Sequence, residues 1–381
     1  MSRRVLDKNF CVIPWTGFEL EPDGKVKNCI ISTDVIGDTH KQNIEDIIDG
    51  NPLRKKMLAG EYPTNCKGCY LQEKNLKQNF DSISSRIYYA KQLTNKITPK
   101  LLEKDDNFEL KHVDLRWSNT CNQACVYCGS EYSSKWAQEL GEKIPKSKTS
   151  LEKVKKYVYD RIDGLENIYL AGGEPLLMKE NKKFLDLLYD KNPGASIRIN
   201  TNLSKTETGV FEKVCKFKDV HWTVSVETME EQYEYVRYHG NWKDFLKNLE
   251  IIKNLGHKIS FNMLYFVLNY KSIFSTVEYF QQSGFHNNSY VIGPLYGPQW
   301  LNVLNLPQHV LDRCREELKN QIDKKPGFLL QNSWENCLSY LTDTEFSANI
   351  ELTLNEIKKM DVRRNIDSRT VFPEFYSEVA N

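Results

Sequence analysis

Three cysteines share one short run of the chain, Ser118-Asn119-Thr120-Cys121-Asn122-Gln123-Ala124-Cys125-Val126-Tyr127-Cys128-Gly129. A cubane iron–sulfur cluster that is fully ligated takes four thiolates. Three thiolates this close can wrap one cluster and leave one iron without a protein ligand, and an open coordination site is what a metal centre needs to bind and activate a molecule. Two other uses of such a run are part of a zinc site and three unconnected buried thiols. Zinc sites usually repeat CxxC pairs and want a fourth ligand nearby. No His or Cys follows Cys128 before Cys215, so the spacing favours a cluster.

A second cysteine set lies upstream. Twelve residues separate Cys11 from Gly24, four more lead to Cys29, and Cys66-Lys67-Gly68-Cys69 comes much later. Glu21-Pro22-Asp23-Gly24-Lys25-Val26 reads as a tight hairpin turn, Asp-Gly favouring positive φ. That turn is expected to bring Cys11 and Cys29 together on paired strands, with a helical Asn43–Leu58 carrying the chain to the Cys66/Cys69 pair. Four thiolates leave no open position, so this site would be structural or electron-transferring. Ligand spacing alone does not separate a cluster from zinc.

The elements that must position these residues follow a strand–helix rhythm from about 110 to 305. Strands are expected at Val113–Trp117, Asn167–Ala171, Ser196–Asn200, Val220–Val226, Lys258–Val267 and Ser289–Ile292. Helices are expected between them, at Leu151–Ile162, Lys182–Asp190, Thr208–Lys216, Trp242–Leu255 and Ile273–Gln282. The fold class read from this is α/β with parallel strands, and in parallel barrels the chemistry sits at the C-terminal ends of the strands. Polar motifs fall there. The second strand runs into Ala171-Gly172-Gly173-Glu174-Pro175, whose paired glycines let backbone approach a ligand closely; a plain βα turn is the other reading. The third ends at Asn200-Thr201-Asn202, which are also ordinary helix caps. The fourth ends at Ser225. Four parts are expected: residues 1–80, holding the four-cysteine site; a helical linker, 81–110; the barrel, 111–306; and a helical extension, 307–381.

CxxxCxxC with an aromatic residue before the last cysteine resembles the signature of the radical S-adenosylmethionine (SAM) superfamily. The resemblance implies a partial (β/α)6 barrel and a [4Fe–4S] cluster on Cys121, Cys125 and Cys128. It further implies that the open iron chelates SAM, and that one-electron reduction splits SAM into methionine and a 5′-deoxyadenosyl radical that takes a hydrogen atom from the substrate. Gly172, Gly173 and Glu174 resemble the family's GGE motif, which contacts the SAM amino group. Asn200 and Asn202 would face the ribose and Ser225 the ribose and carboxylate. Arg237 would meet the carboxylate with its bidentate fork, and Tyr127 would lend backbone and packing to the adenine. The pattern at Cys11, Cys29, Cys66 and Cys69 is similar to the twitch domain, a shortened SPASM domain holding an auxiliary [4Fe–4S] cluster, except that here it precedes the barrel.

The implied activity is oxidation or rearrangement of a small molecule, fed by an external one-electron donor such as flavodoxin or ferredoxin. A peptide-modifying maturase or epimerase is the rival enzyme, although no leader-binding segment is visible ahead of Cys11. A non-catalytic iron–sulfur or zinc metalloprotein is the reading from another class. Cys314 or Cys337 could donate a hydrogen atom to a substrate radical, and Tyr265, Tyr296 and Trp300 could line a pocket. Free cysteines, Cys215 included, are more often small buried hydrophobes.

With 52 basic and 51 acidic side chains in 381 residues, no bulk charge recruits nucleic acid or membrane, and no such partner is expected. No apolar run reaches the roughly 18 residues of a membrane helix. The N-terminus lacks the apolar core of a signal peptide. Ten cysteines in an unexported chain argue for metal ligation over disulfides, which places the protein in the cytoplasm.

Overall fold

A computed structural model describes residues 10–75, 85–93, 99–142, 148–286 and 289–379. Eleven strands are numbered here in chain order: β1 Gly17–Leu20, β2 Lys25–Lys27, β3 Val35–Asp38, β4 His112–Leu115, β5 Ala124–Cys125, β6 Asn167–Leu170, β7 Ser196–Thr201, β8 Val220–Ser225, β9 Arg237–Tyr238, β10 Lys258–Tyr265 and β11 Tyr290–Pro294. The described residues fall into two compact units. One takes those of Met1–Cys121, Ser130–Asn200 and Thr206–His221, the other those of Asn122–Gly129, Thr201–Lys205 and Trp222–Asn381.

In the first unit β4, β6 and β7 run parallel, and β1 joins them in parallel beside β4. The hairpin β1–β2 and then β3 extend this sheet antiparallel. Its turn is closed by the Glu21 N–H donating to the Lys25 carbonyl at 2.8 Å. Alternation makes one face of the sheet apolar: Phe18, Val113, Ile168 and Ile197 share a register row and are fully buried. Phe18 packs on Tyr157 of the helix Lys148–Tyr159. The opposite face differs from an ordinary parallel sheet, which is apolar on both sides. There Glu19, Asp114, Tyr169 and Arg198 occupy one row. The helix Ser85–Leu93 lies over this polar face, the Tyr89 ring tilted against that of His112 with centroids 4.2 Å apart.

The second unit holds β8, β10 and β11, with β10 and β11 parallel, and the two-residue ladder β5–β9. Aromatic packing fastens its helices to the sheet: Phe280 of Ser272–Gln282 stacks on Phe261 of β10 at 4.5 Å, and Phe245 of Trp242–Asn254 meets Phe280. Ser333, on the helix Phe328–Asp343, accepts from the β11 N–H of Ile292 at 3.0 Å, satisfying a strand that would otherwise present a bare edge.

The fold is therefore α/β with parallel strands, as expected, and the six barrel strands begin within one residue of their expected positions. Among the described residues, strands close into a ring within neither unit, in keeping with a partial barrel. Two details correct the sequence reading. Cys11 and Cys29 are not on the hairpin strands. A helical turn Ile13–Thr16, started by Pro14, separates Cys11 from β1, and Cys29 lies beyond the end of β2. The expected helix Asn43–Leu58 is two helices, Ile44–Asp49 and Pro52–Leu58, because Pro52 cannot continue a helix interior. The tail after Arg364 forms two further short helices, Ser368–Val371 and Pro373–Val379. Part of the linker expected at 81–110 lies outside the described residues. Among those described, no helix is long and apolar enough to cross a membrane.

Candidate metal centres

Three separate segments of the first unit bring Cys11, Cys29, Cys66 and Cys69 to one pocket, with about 330 Å³ of empty space including its mouth. Cys29 starts a turn in which Ser32 N–H donates to its carbonyl, and Cys66 ends a turn from Pro63. Cys69 then rides on the helix Lys67–Asn75. Burial, and after it the neighbouring sulfurs, push the thiols up, Cys29 to about 12 and Cys66 to about 11. Thiols in this state bind a metal by releasing protons. Arg86 also lines the pocket; it is buried, paired with Glu73, and donates from Nη1 to the Phe10 carbonyl at 2.9 Å. Among the described residues, no three His, Cys, Asp or Glu side chains are set to hold a single metal ion.

The glycine motif and the start of the cysteine loop meet inside the first unit. Glu174 N–H donates to the Thr120 carbonyl at 2.7 Å and Gly173 N–H to that of Ser118 at 3.3 Å. Gly172 has φ +105°, and a Cβ on Gly173 would stand 2.3 Å from the Thr120 oxygen. Only glycine permits this approach. The Glu174 carboxylate accepts from Leu176 N–H at 3.0 Å and so caps the turn Pro175–Leu177. Cys121 is anchored through Ser134, whose hydroxyl accepts from its N–H and donates to its carbonyl. Asn200 lies on β7, also in this unit.

In the second unit Cys125 pairs with Arg237 across β5 and β9, and the Val126 N–H donates to the Val236 carbonyl at 2.8 Å. The Cys128 N–H donates to the Cys125 carbonyl at 3.0 Å, turning the loop. Arg237 is 3% exposed. Its Nε and Nη2 grip the Glu227 carboxylate at 2.8 and 2.7 Å, and Nη1 lies 3.9 Å from the Cys125 sulfur. The Tyr127 hydroxyl donates to the same carboxylate at 3.0 Å, and its ring lies under the guanidinium. Burial raises the Cys125 thiol, and Arg237 opposes that rise. Asn202 donates to Asn122 at 3.2 Å, and Ser204 joins them. Ser225 ends β8 and is half-buried.

Of the remaining candidates, Tyr265 lies beside both Cys314 and Cys337. Cys314 and Cys337 are buried on the helices Gln308–Asp323 and Phe328–Asp343, and burial raises both thiols. Cys215 is half-buried. Tyr265 is in the core, whereas Tyr296 is 70% exposed with its ring against Tyr340. Sequence reasoning missed Arg86, Glu227 and a buried ionic cluster on β1 and β4. In that cluster Arg116 donates to Asp114 and stands 3.1 Å from Glu19 and 3.6 Å from Glu21. Burial, then Asp114, pushes Glu19 up to about 9. The signal was available in His112-Val113-Asp114-Leu115-Arg116, where every second residue is polar in a strand expected to be buried.

Residues 115–280 match the model of the Radical SAM superfamily, and residues 11–70 match SPASM, an iron–sulfur cluster-binding domain. Among curated relatives, the GTP 3′,8-cyclase of Sulfurimonas denitrificans is 28% identical over 45% of this chain and 53% of its own. That of Campylobacter lari is 24% identical over 40% and 46%. The chain thus spans about half the length of the curated relatives it matches. Among solved structures, Streptococcus suis SuiB bound to S-adenosylmethionine is 17% identical, covering 79% of this chain and 66% of its own at TM-score 0.42. Native anSMEcpe with bound AdoMet is 16% identical over 55% and 58%, at 0.43.

Proposed function

We propose that this protein is a radical SAM enzyme that takes a hydrogen atom from a small-molecule substrate in an oxidation or rearrangement. The observation that carries this reading is the run Cys121-x3-Cys125-x2-Cys128 inside the matched barrel, with Gly172-Gly173-Glu174 hydrogen-bonded onto the residues just before it. In this reading the three cysteines would hold a [4Fe–4S] cluster, which would supply the electron for reductive cleavage of SAM to methionine and a 5′-deoxyadenosyl radical. Gly172 and Gly173 give the SAM methionine end a close backbone surface. Glu174 offers a carboxylate to its ammonium, a charge-assisted hydrogen bond. Asn200, Asn202 and Ser225 supply polar groups for the ribose, and Tyr127 packs beside the adenine.

Cys11, Cys29, Cys66 and Cys69 hold a second [4Fe–4S] cluster that exchanges electrons. Four thiols around one pocket, in a segment matching an iron–sulfur cluster-binding domain, support a cluster over zinc. Likeness to GTP 3′,8-cyclases over part of the chain supports a small-molecule substrate, with electrons from flavodoxin or ferredoxin.

The test is iron, sulfide and zinc per chain after anaerobic reconstitution, followed by 5′-deoxyadenosine formation under a strong reductant. About eight irons and SAM cleavage are expected. Four irons with one zinc would remove the auxiliary cluster. No iron on the Cys121 loop would overturn the enzyme reading.

A further inference from the structure

Arg237 is aimed at a sulfur and away from the role that a basic residue at its position would take in SAM binding. Its fork is already closed on Glu227, whose carboxylate also takes the Tyr127 hydroxyl, and the whole group is buried. To grip the SAM carboxylate, Arg237 would have to release Glu227 and leave that carboxylate buried without its cation, an arrangement proteins avoid. The guanidinium nitrogen that Glu227 does not hold is the one 3.9 Å from the Cys125 sulfur. The ladder β5–β9 sets Cys125 and Arg237 as direct partners, so backbone pairing fixes this approach.

We infer that Arg237 is a positioning residue for the cluster-binding cysteine, with Glu227 and Tyr127 as its holders, and that the Arg237–Glu227 balance sets the reduction potential of the cluster on that loop. The inference rests on the proposed radical SAM reading. The physical reason is direct. A reduced cluster carries one more negative charge, part of it on the ligating sulfurs, and a buried cation hydrogen-bonded to one of those sulfurs stabilises the reduced form more than the oxidised form. Glu227 offsets part of that cation. The two residues should therefore pull the potential in opposite directions, which a merely structural ion pair would not do.

The experiment is an anaerobic potentiometric titration of the full reconstituted chain, read by electron paramagnetic resonance without SAM. The loop cluster is told apart from any second cluster by its spectral response when SAM is then added. Arg237→Gln is expected to lower the potential, so that the reduced fraction at a fixed potential falls about tenfold, or 59 mV for one electron. Glu227→Gln is expected to raise it. Shifts of the same sign, or none, overturn the inference. So does an Arg237→Gln chain with unchanged potential but SAM affinity about tenfold weaker, which would return Arg237 to the SAM carboxylate. If Arg237→Gln takes up no iron, Arg237→Lys decides: near-native iron and potential support the charge role, and failure to load makes the residue scaffold only. A wild-type loop that binds no iron sinks the proposed function, a result distinct from any of these.

Discussion

The two cysteine regions are built on opposite plans. The pocket thiols come from three segments spread from Cys11 to Cys69, tied by one hairpin and four short helices. The loop thiols are near neighbours in sequence, and local backbone bonds hold them: Ser134 on Cys121, the β5–β9 ladder at Cys125, and a turn at Cys128. Ligands gathered from distant segments make metal binding part of folding. Ligands on one braced loop leave the fold largely independent of the metal and free one coordination site for chemistry. The first plan suits a closed centre and the second an open one.

The sharpest way to break this contrast is to remove ligands from each region in turn. Cys125→Ser is expected to abolish 5′-deoxyadenosine formation, a loss of at least about a thousandfold for a missing reaction centre, while circular dichroism and melting stay near wild type. Cys66→Ser with Cys69→Ser should do the reverse. Iron should fall from about eight to about four per chain, SAM cleavage without substrate should persist, and stability should drop by about 4 kcal/mol, as for loss of a structural metal. If the second variant melts like wild type, the pocket is not part of the folding unit and the contrast fails.

Gly173→Ala probes the junction where the glycine motif meets the cysteine loop. Its new methyl would meet the Thr120 carbonyl at 2.3 Å, and that atom is backbone, so the loop must move. A destabilisation of about 2 kcal/mol and about a tenfold rise in the KM for SAM are expected. An unchanged KM would detach the glycines from SAM binding.

The buried carboxylates of β1 and β4 sharpen the comparison through pH. The folded pKa of Glu19, about 9, stands above its ordinary 4.5, so the folded state holds a proton that the unfolded chain releases. Its stabilising effect is complete below about pH 4.5 and is lost as pH rises through 9. On the order of a few kcal/mol should disappear across that range, and Glu19→Gln should flatten this part of the stability–pH curve. A wild-type curve already flat there would mean that Arg116 keeps Glu19 ionised.

How legible each region was follows from the range of the forces involved. Strand bounds from Asn167 to Tyr265 were readable because apolar alternation and helix caps are local signals. Among the site residues, the cysteine runs and Gly172-Gly173 stood out because their chemistry is written in adjacent residue types. What stayed hidden was pairing across long sequence gaps. Nothing in the sequence places Glu227 on Arg237 in preference to any other acid, or sets β1 beside β4 across some 90 residues. Arg86 is a lone cation in a mostly polar stretch, and only folding turns it toward the thiols. The helical turn at Ile13–Thr16 was missed because four residues carry no periodicity, even with Pro14 marking its start.

The smallest effect separates the seven site cysteines from the rest. Cys314 lies on the helix Gln308–Asp323, 4% exposed and beside Tyr265. Its thiol is pushed up by burial, with Tyr265 opposing, so it stays protonated and packed, and a hydrogen-atom donor must reach the substrate. Cys314→Ala removes one sulfur from well-packed surroundings, a cost of about 1 kcal/mol. Iron content, SAM cleavage and turnover should all match wild type. If turnover falls tenfold while SAM cleavage persists, Cys314 reaches the substrate after all, and the two metal regions would no longer account for every cysteine that does chemistry.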